Sequence, residues 1–260
     1  MGFIGLIQPF SDAIKLFSKE SIFKIKSFNF FLYFFSPIWG IFLRMLIWKL
    51  FLLWGTSSVF FIGWVLFFCL RRFSVFFLLI SGWSRSRKYA LFGSYRSSSQ
   101  AISYEVILVI SVLLFCFLAN TLDIYVYCLM RDSFFLILTF PLFFIWAISC
   151  YAETNRSPFD FREGESELVS GFNTEYGGGS FSLIFIGEYR SILFLRALRS
   201  FIFGLHRIFF IVFVVLFSFS YLWLRCSFPR LRYDKLMMIA WKGILIYVLG
   251  VLFLSLYFLF

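Results

Sequence analysis

Seven stretches of this chain are long and apolar enough to cross a bilayer as helices. They lie near residues 28–54, 58–80, 101–119, 134–151, 181–204, 206–225 and 236–258. The polar connections between them are too small to form a water-facing shell. Of the 260 residues, 62% are hydrophobic and 14% charged, against about 25% charged in an ordinary soluble domain. That balance excludes a soluble globule and a disordered chain alike. The expected fold class is all-α, a polytopic membrane protein with about seven transmembrane helices in a single membrane domain over residues 1–260.

Ahead of the first span, residues 5–20 read GLIQPFSDAIKLFSKE. Leu6, Ile7, Phe10, Ala13, Ile14 and Phe17 recur at helical spacing, with Asp12, Lys15 and Lys19 elsewhere around the turn. Such a helix is too short and too polar to span, so it is expected to lie along the interface. The break at Gly55-Thr56-Ser57-Ser58 is short, which predicts a tight hairpin between the first two spans. The first 20 residues lack the basic start and short apolar core of a cleavable signal, and Asp12 and Glu20 argue against a mitochondrial presequence. No internal repeat supports an inverted-repeat transporter.

The net charge of +11 would suggest nucleic acid in a soluble protein. Here its distribution reports orientation. With seven spans, one side holds residues 1–27, 81–100, 152–180 and 226–235. That side carries Lys15, Lys19, Lys24, Lys26, Arg85, Arg87, Lys88, Arg96, Arg156, Arg162, Arg230, Arg232 and Lys235. The opposite connections carry Arg131 and Arg207, with Arg44 and Lys49 expected to snorkel that way. The basic side is therefore the matrix or cytoplasmic face, and no nucleic-acid partner is needed. The five cysteines form no C-x-x-C pair and read as small hydrophobes, and the lone His206 makes no metal site. The abundance of Phe, Leu, Ser and Tyr, with Ala and Pro scarce, points to a T-rich gene of organellar type.

Orientation does not explain the acids. Seven of the thirteen, Glu153, Asp160, Glu163, Glu165, Glu167, Glu175 and Glu188, fall between residues 153 and 188. Most lie in a 29-residue connection, 152–180, rich in glycine and interleaved with Phe159, Phe161, Phe172 and Tyr176. Connections of that length are usually functional, and one this apolar needs protein against it. Glu105 and Glu188 lie within apolar runs, and Glu153 ends one. A carboxylate facing lipid unpaired would cost about 2.5–3.5 kcal/mol on insertion scales. These three are therefore expected to face one another or a polar cavity, where burial and mutual repulsion let such groups take up and release protons. The competing reading pairs them with Arg96, Arg156, Arg162 and Arg190 as structural salt bridges. No P-loop, dinucleotide-binding or zinc-protease motif is present.

The run AETNRSPFD at 152–160, continuing through EGESELVSGFN at 163–173, resembles the signature loop of the NADH dehydrogenase subunit 1 family, the membrane subunit of respiratory complex I beside its quinone site. Residues 8–20, 81–105 and 228–242 are similar in order to its interfacial helix, its second matrix loop and the start of its last helix. Members usually have eight spans, so the first span and its basic loop are expected to come from a separate small polypeptide or to be lost. Arg190, Arg196 and Arg199 depart from the family pattern.

The resemblance implies a subunit of a proton-translocating NADH:ubiquinone oxidoreductase in the mitochondrial inner membrane, with no catalysis by the isolated chain. The amino terminus and basic loops would face the matrix and the carboxyl terminus the intermembrane space. Asp12, Lys15, Arg156, Phe159, Asp160 and Phe172 would bind or position quinone, and Glu105, Glu153, Glu163, Glu165, Glu167, Glu175 and Glu188 would carry protons. Ubiquinone is the implied substrate, no cofactor or metal is expected on this chain, and flavin and iron–sulfur clusters would sit in partner subunits. Lipids and the other subunits of the complex are the implied partners. The alternatives are a membrane anchor of an energy-converting hydrogenase, a stand-alone proton or cation transporter, or a scaffold.

Overall fold

The computed structural model describes residues 4–19, 29–53, 63–85, 87–119, 140–154, 156, 158–160, 176–203 and 210–259. Among these residues every regular element is helical. They are α1 (Ile4–Ser18), α2 (Phe30–Leu53), α3 (Gly63–Trp83), α4 (Lys88–Ala119), α5 (Phe140–Glu153), α6 (Gly178–Phe203), α7 (Phe210–Ser227) and α8 (Tyr233–Met238). A π-helical turn, Ile239–Ile244, then joins α8 to α9 (Leu245–Leu259). The expected hairpin break at Gly55–Ser58, His206, and the middle of the 152–180 connection lie outside the described residues.

Four helices are long and apolar enough to cross a membrane by length and composition: Phe30–Lys49, Gly63–Trp83, Lys88–Leu118 and the composite Tyr233–Tyr257. The described parts of α5 and α7 are shorter apolar helices. Within its 26 residues α6 carries Glu188, Arg190, Arg196 and Arg199, which breaks its apolar character.

Most of the expected 81–100 connection differs from expectation. Residues 88–100 continue α4 as helix where a connection was expected. The hydroxyls of Ser94, Ser97, Ser98 and Ser99 donate to carbonyls three residues back, at 2.9–3.0 Å, so the helix itself satisfies them. Their small size also lets α4 approach α3 closely. A Cβ added at Gly82 would collide with the Ser94 side chain, as small residues at a membrane-helix contact allow. Polarity hid this helix from hydropathy.

The helices close into a ring. α2 packs on α3, α3 on α4, α4 on α5, α5 on α6, and α6 back on α2. Outside it, α7 lies on α6, α9 lies on α4, and α1 rests against α6. Ile7, Phe10, Ile14 and Phe17 of α1 all remain exposed along one face, the face an interfacial helix gives to lipid.

Aromatic rings knit the ring together. Lipid is as apolar as these side chains, so helix association rests on close packing. Phe67 stacks on Phe194 at 5.6 Å and Trp48 meets Phe194 edge-on at 5.9 Å, tying α3, α6 and α2. Phe115 and Phe143 both meet Phe203 edge-on. Each such pair contributes about 0.5–1.5 kcal/mol beyond burial. These rings form one buried cluster with Trp64, Leu108, Leu142, Trp146 and Leu198. A second, smaller cluster of Tyr33, Phe77, Leu78, Tyr176 and Ile184 lies toward the basic side.

Candidate functional site

Between the two apolar clusters each helix of the ring places a polar residue. Arg44 comes from α2, Arg71 and Ser74 from α3, Glu105 from α4, Glu153 from the last position of α5 and Ser191 from α6. All line one cavity of about 50 Å³, room for a few waters.

The carboxylates are held by ion pairs. Glu153 pairs with Arg71, both nearly buried. Glu105 is 5% exposed and accepts from Arg72 Nε at 3.4 Å. Glu188 does not line this cavity. It lies one turn before Ser191, whose hydroxyl donates to the Glu188 carbonyl at 2.7 Å, and its carboxylate pairs with Arg156 at 3.4 Å. The structure therefore brings Glu105 and Glu153 together and sets Glu188 at the edge. Arg156 is a salt-bridge partner, as the competing reading expected. For the other two acids the partners are Arg71 and Arg72, which sequence reasoning missed. Their signal was visible, because two adjacent arginines inside the apolar run CLRRF require an acid from a neighbouring helix.

Arg44 corrects a further expectation. It does not extend toward the far side but lines the cavity, with its guanidinium 5.2 Å over the Phe77 ring. Gly187 makes this possible, since a Cβ there would collide with the Arg44 guanidinium.

Both ends of the acidic connection are pinned. At its start the Gln100 amide donates to the carbonyls of Ala152 at 2.9 Å and Phe159 at 3.0 Å. Leu231 N–H donates to the Pro158 carbonyl at 3.1 Å. Phe159 packs against the cluster of Tyr104, Ile107, Ala152, Leu236 and Ala240. At its end Tyr176 stacks on Tyr33 at 4.6 Å under the Arg85 guanidinium, 3.8 Å from its ring. Pro37 lacks an N–H, so the Tyr33 carbonyl loses its helical partner. The Tyr176 hydroxyl donates to that carbonyl at 3.3 Å and lies 2.8 Å from Ser36 Oγ. Burial holds the Tyr176 phenol above its ordinary pKa, against the opposing effects of Ser36 and Arg85. It therefore stays protonated and able to donate.

Of the remaining expected residues, Asp12 and Lys15 are exposed on α1 and Asp160 is half-buried where the connection leaves α5. Glu163, Glu165, Glu167, Glu175 and Phe172 lie outside the described residues. The three arginines that depart from the family pattern all lie over aromatic rings. Arg190 lies 5.7 Å over Trp48, and Arg196 lies 4.7 Å over Tyr221. Arg199 sits over Phe143, Phe217 and Tyr151 and donates to the Tyr151 hydroxyl at 3.0 Å.

Fold and site together define an all-helical, multi-span membrane protein whose buried carboxylates, held by arginines, meet in an internal cavity. The chain belongs to the NADH dehydrogenase family, whose sequence model matches residues 1–256. It is similar to NADH-ubiquinone oxidoreductase chain 1 of Aedes aegypti, with 46% identity over 259 residues covering 97% of this chain and 82% of that protein. The chain 1 protein of Locusta migratoria is 46% identical over 257 residues, with the same coverage. That of Branchiostoma lanceolatum is 41% identical over 259 residues, covering 98% of this chain and 82% of the relative.

Proposed function

We propose that this chain is the membrane subunit of a proton-pumping NADH:ubiquinone oxidoreductase, in which carboxylates of the ring cavity couple quinone reduction to proton movement. Its family and relatives support the subunit assignment. One observation carries the role of the carboxylates: Glu105 and Glu153, from different helices, face the same cavity with Arg44 and Arg71. Protonating Glu153 removes one charge of its pair and leaves Arg71 facing Glu105 across a space that admits water. A proton arriving at one carboxylate thereby changes the affinity of the next. Glu188, through Arg156, links this cavity to the start of the acidic connection. Glu163, Glu165, Glu167 and Glu175 would extend the path along that connection.

Quinone is the substrate on this reading, taken from the membrane beside α1. Asp12, Lys15, Arg156, Asp160 and Phe172 would border its path, and Phe159 would fix the loop through its packing. Flavin and iron–sulfur chemistry belong to partner subunits, the setting is the mitochondrial inner membrane, and the basic side faces the matrix. The relatives carry an oxidoreductase name, which does not favour a hydrogenase anchor or a stand-alone transporter.

The test is Glu153→Gln in the assembled complex. Gln keeps the size and loses the proton site, so quinone-linked pumping is expected to fall by about a hundredfold, the lower end of what a positioned acid–base group contributes. Unchanged quinone reduction and unchanged pumping in assembled complex would remove Glu153 from the path. Co-migration with NADH-oxidising flavin subunits on a native gel tests the subunit assignment separately.

A further inference from the structure

A second cavity, of about 60 Å³, opens between α5, α6 and α7. It is lined by Arg156, the half-buried Arg196 and the exposed Arg225, with Thr154, Tyr151 and Tyr221, and no carboxylate lines it. Arg156 is committed to Glu188 at 3.4 Å. Among the described residues no carboxylate pairs with Arg196, which lies over the Tyr221 ring, or with the exposed Arg225, so neither cation is neutralised by an acid there. Tyr221 is 8% exposed, and its buried hydroxyl has no hydrogen-bond partner. A buried phenol left unsatisfied costs about 1–3 kcal/mol, which a ligand acceptor would recover. The cations and the phenol all call for an anion.

The outer rim differs in chemistry. Leu222 and Leu224 line it above the buried Ile192, and α7 continues outward as an exposed apolar face through Phe219, Leu216, Val215 and Val212. Trp223 is exposed on the same helix near its basic-side end, where interfacial tryptophans meet headgroups. An anion-seeking wall opening onto an apolar face matches an amphiphile. Basic pockets between membrane helices on the inner side take anionic headgroups, and guanidinium forks match phosphate oxygens.

We propose that this cavity binds the phosphodiester of an anionic phospholipid, with Arg196 and Arg225 on its oxygens, the Tyr221 hydroxyl donating to it, and the acyl chains along the exposed face of α7. The site shares Arg156 with the Glu188 pair but none of the residues that line the carboxylate cavity, and its ligand contacts through Arg196, Arg225 and Tyr221 do not depend on the proton path assigned there.

The intact assembly is mixed with phosphatidylcholine vesicles containing either photoactivatable phosphatidylglycerol or photoactivatable phosphatidylcholine, irradiated and digested, and labelled peptides are located by mass spectrometry. The anionic probe is expected to label α7 about tenfold more than the neutral one, the factor of one charge-assisted hydrogen bond. Arg196→Gln with Arg225→Gln should bring that labelling down to the neutral level, and the paired Lys replacements should keep most of it. Equal labelling by both probes, or undiminished labelling in the Gln pair, overturns the proposal. Displacement of the anionic probe by millimolar inorganic phosphate assigns the site to free phosphate and overturns the lipid. If the Gln pair fails to assemble, the two probes on the unaltered assembly decide alone.

Discussion

Arg71 and Arg199 are equally buried, 8% and 5% exposed, yet one faces a carboxylate and the other a cage of rings. Arg71 shares the ring cavity with Glu153, Glu105 and Arg44. Arg199 is held among Phe143, Phe217 and Tyr151, with a phenol as its only polar partner among the described residues. An arginine is always charged, so the difference lies in its partner. A carboxylate can lose its charge by taking a proton, and the pair then rearranges. An aromatic face cannot. The first region can respond to protons, whereas the second holds its cation in one state and serves as fixed structure.

The largest expected effect tests the first half of that contrast. Arg71→Met leaves Glu153 buried without a cation, a loss of about 3–5 kcal/mol. Little intact complex should survive on a native gel. Adding Glu153→Gln removes the stranded charge, so assembly should recover while pumping does not. If Arg71→Met alone assembles normally, the ion pair is not what holds this region.

Gly187→Val displaces Arg44 from the cavity by filling its approach. Overpacking of this kind costs about 1–3 kcal/mol, read as a lower midpoint of thermal inactivation. An unchanged midpoint with normal pumping would show that the position of Arg44 is not critical. Arg199→Leu should be milder, about 1–2 kcal/mol, because it removes a cation from apolar rings and strands no anion. Should it cost as much as Arg71→Met, the two regions do not differ as described. Tyr176→Phe is the smallest perturbation. It removes one of the two donors, with the Ser36 hydroxyl the other, to the Tyr33 carbonyl freed by Pro37, and is expected to cost about 1 kcal/mol in thermal stability.

How much of the site was legible depended on what each residue needed. Glu105, Glu153 and Glu188 were readable as buried acids because a charge in an apolar run demands a partner wherever it sits. Arg71 and Arg72 obey the same rule and were passed over. Gln100 could not have been found, because an amide near the end of a polar stretch gives no sign of the carbonyls it will meet. Phe159 had a strong local signal, yet its packing against Tyr104 and Leu236 depends on helices far along the chain. The helical start of α4 was hidden because its serines satisfy their hydroxyls locally and spend their polarity on close packing with α3.

The sequence by itself determined the helical membrane class, the amphipathic α1 and the family. Each of these follows from local composition or order along the chain, through the energy of placing polar groups in lipid. Only the tertiary structure decided which of many similar phenylalanines turn inward, as Phe67 does at 2% exposure, and which outward, as Phe73 does at 51%. Tertiary structure also decided which arginine answers which acid. Those choices depend on helix rotation and neighbour, and a bilayer that solvates Phe as readily as a core does leaves no trace of them in hydropathy.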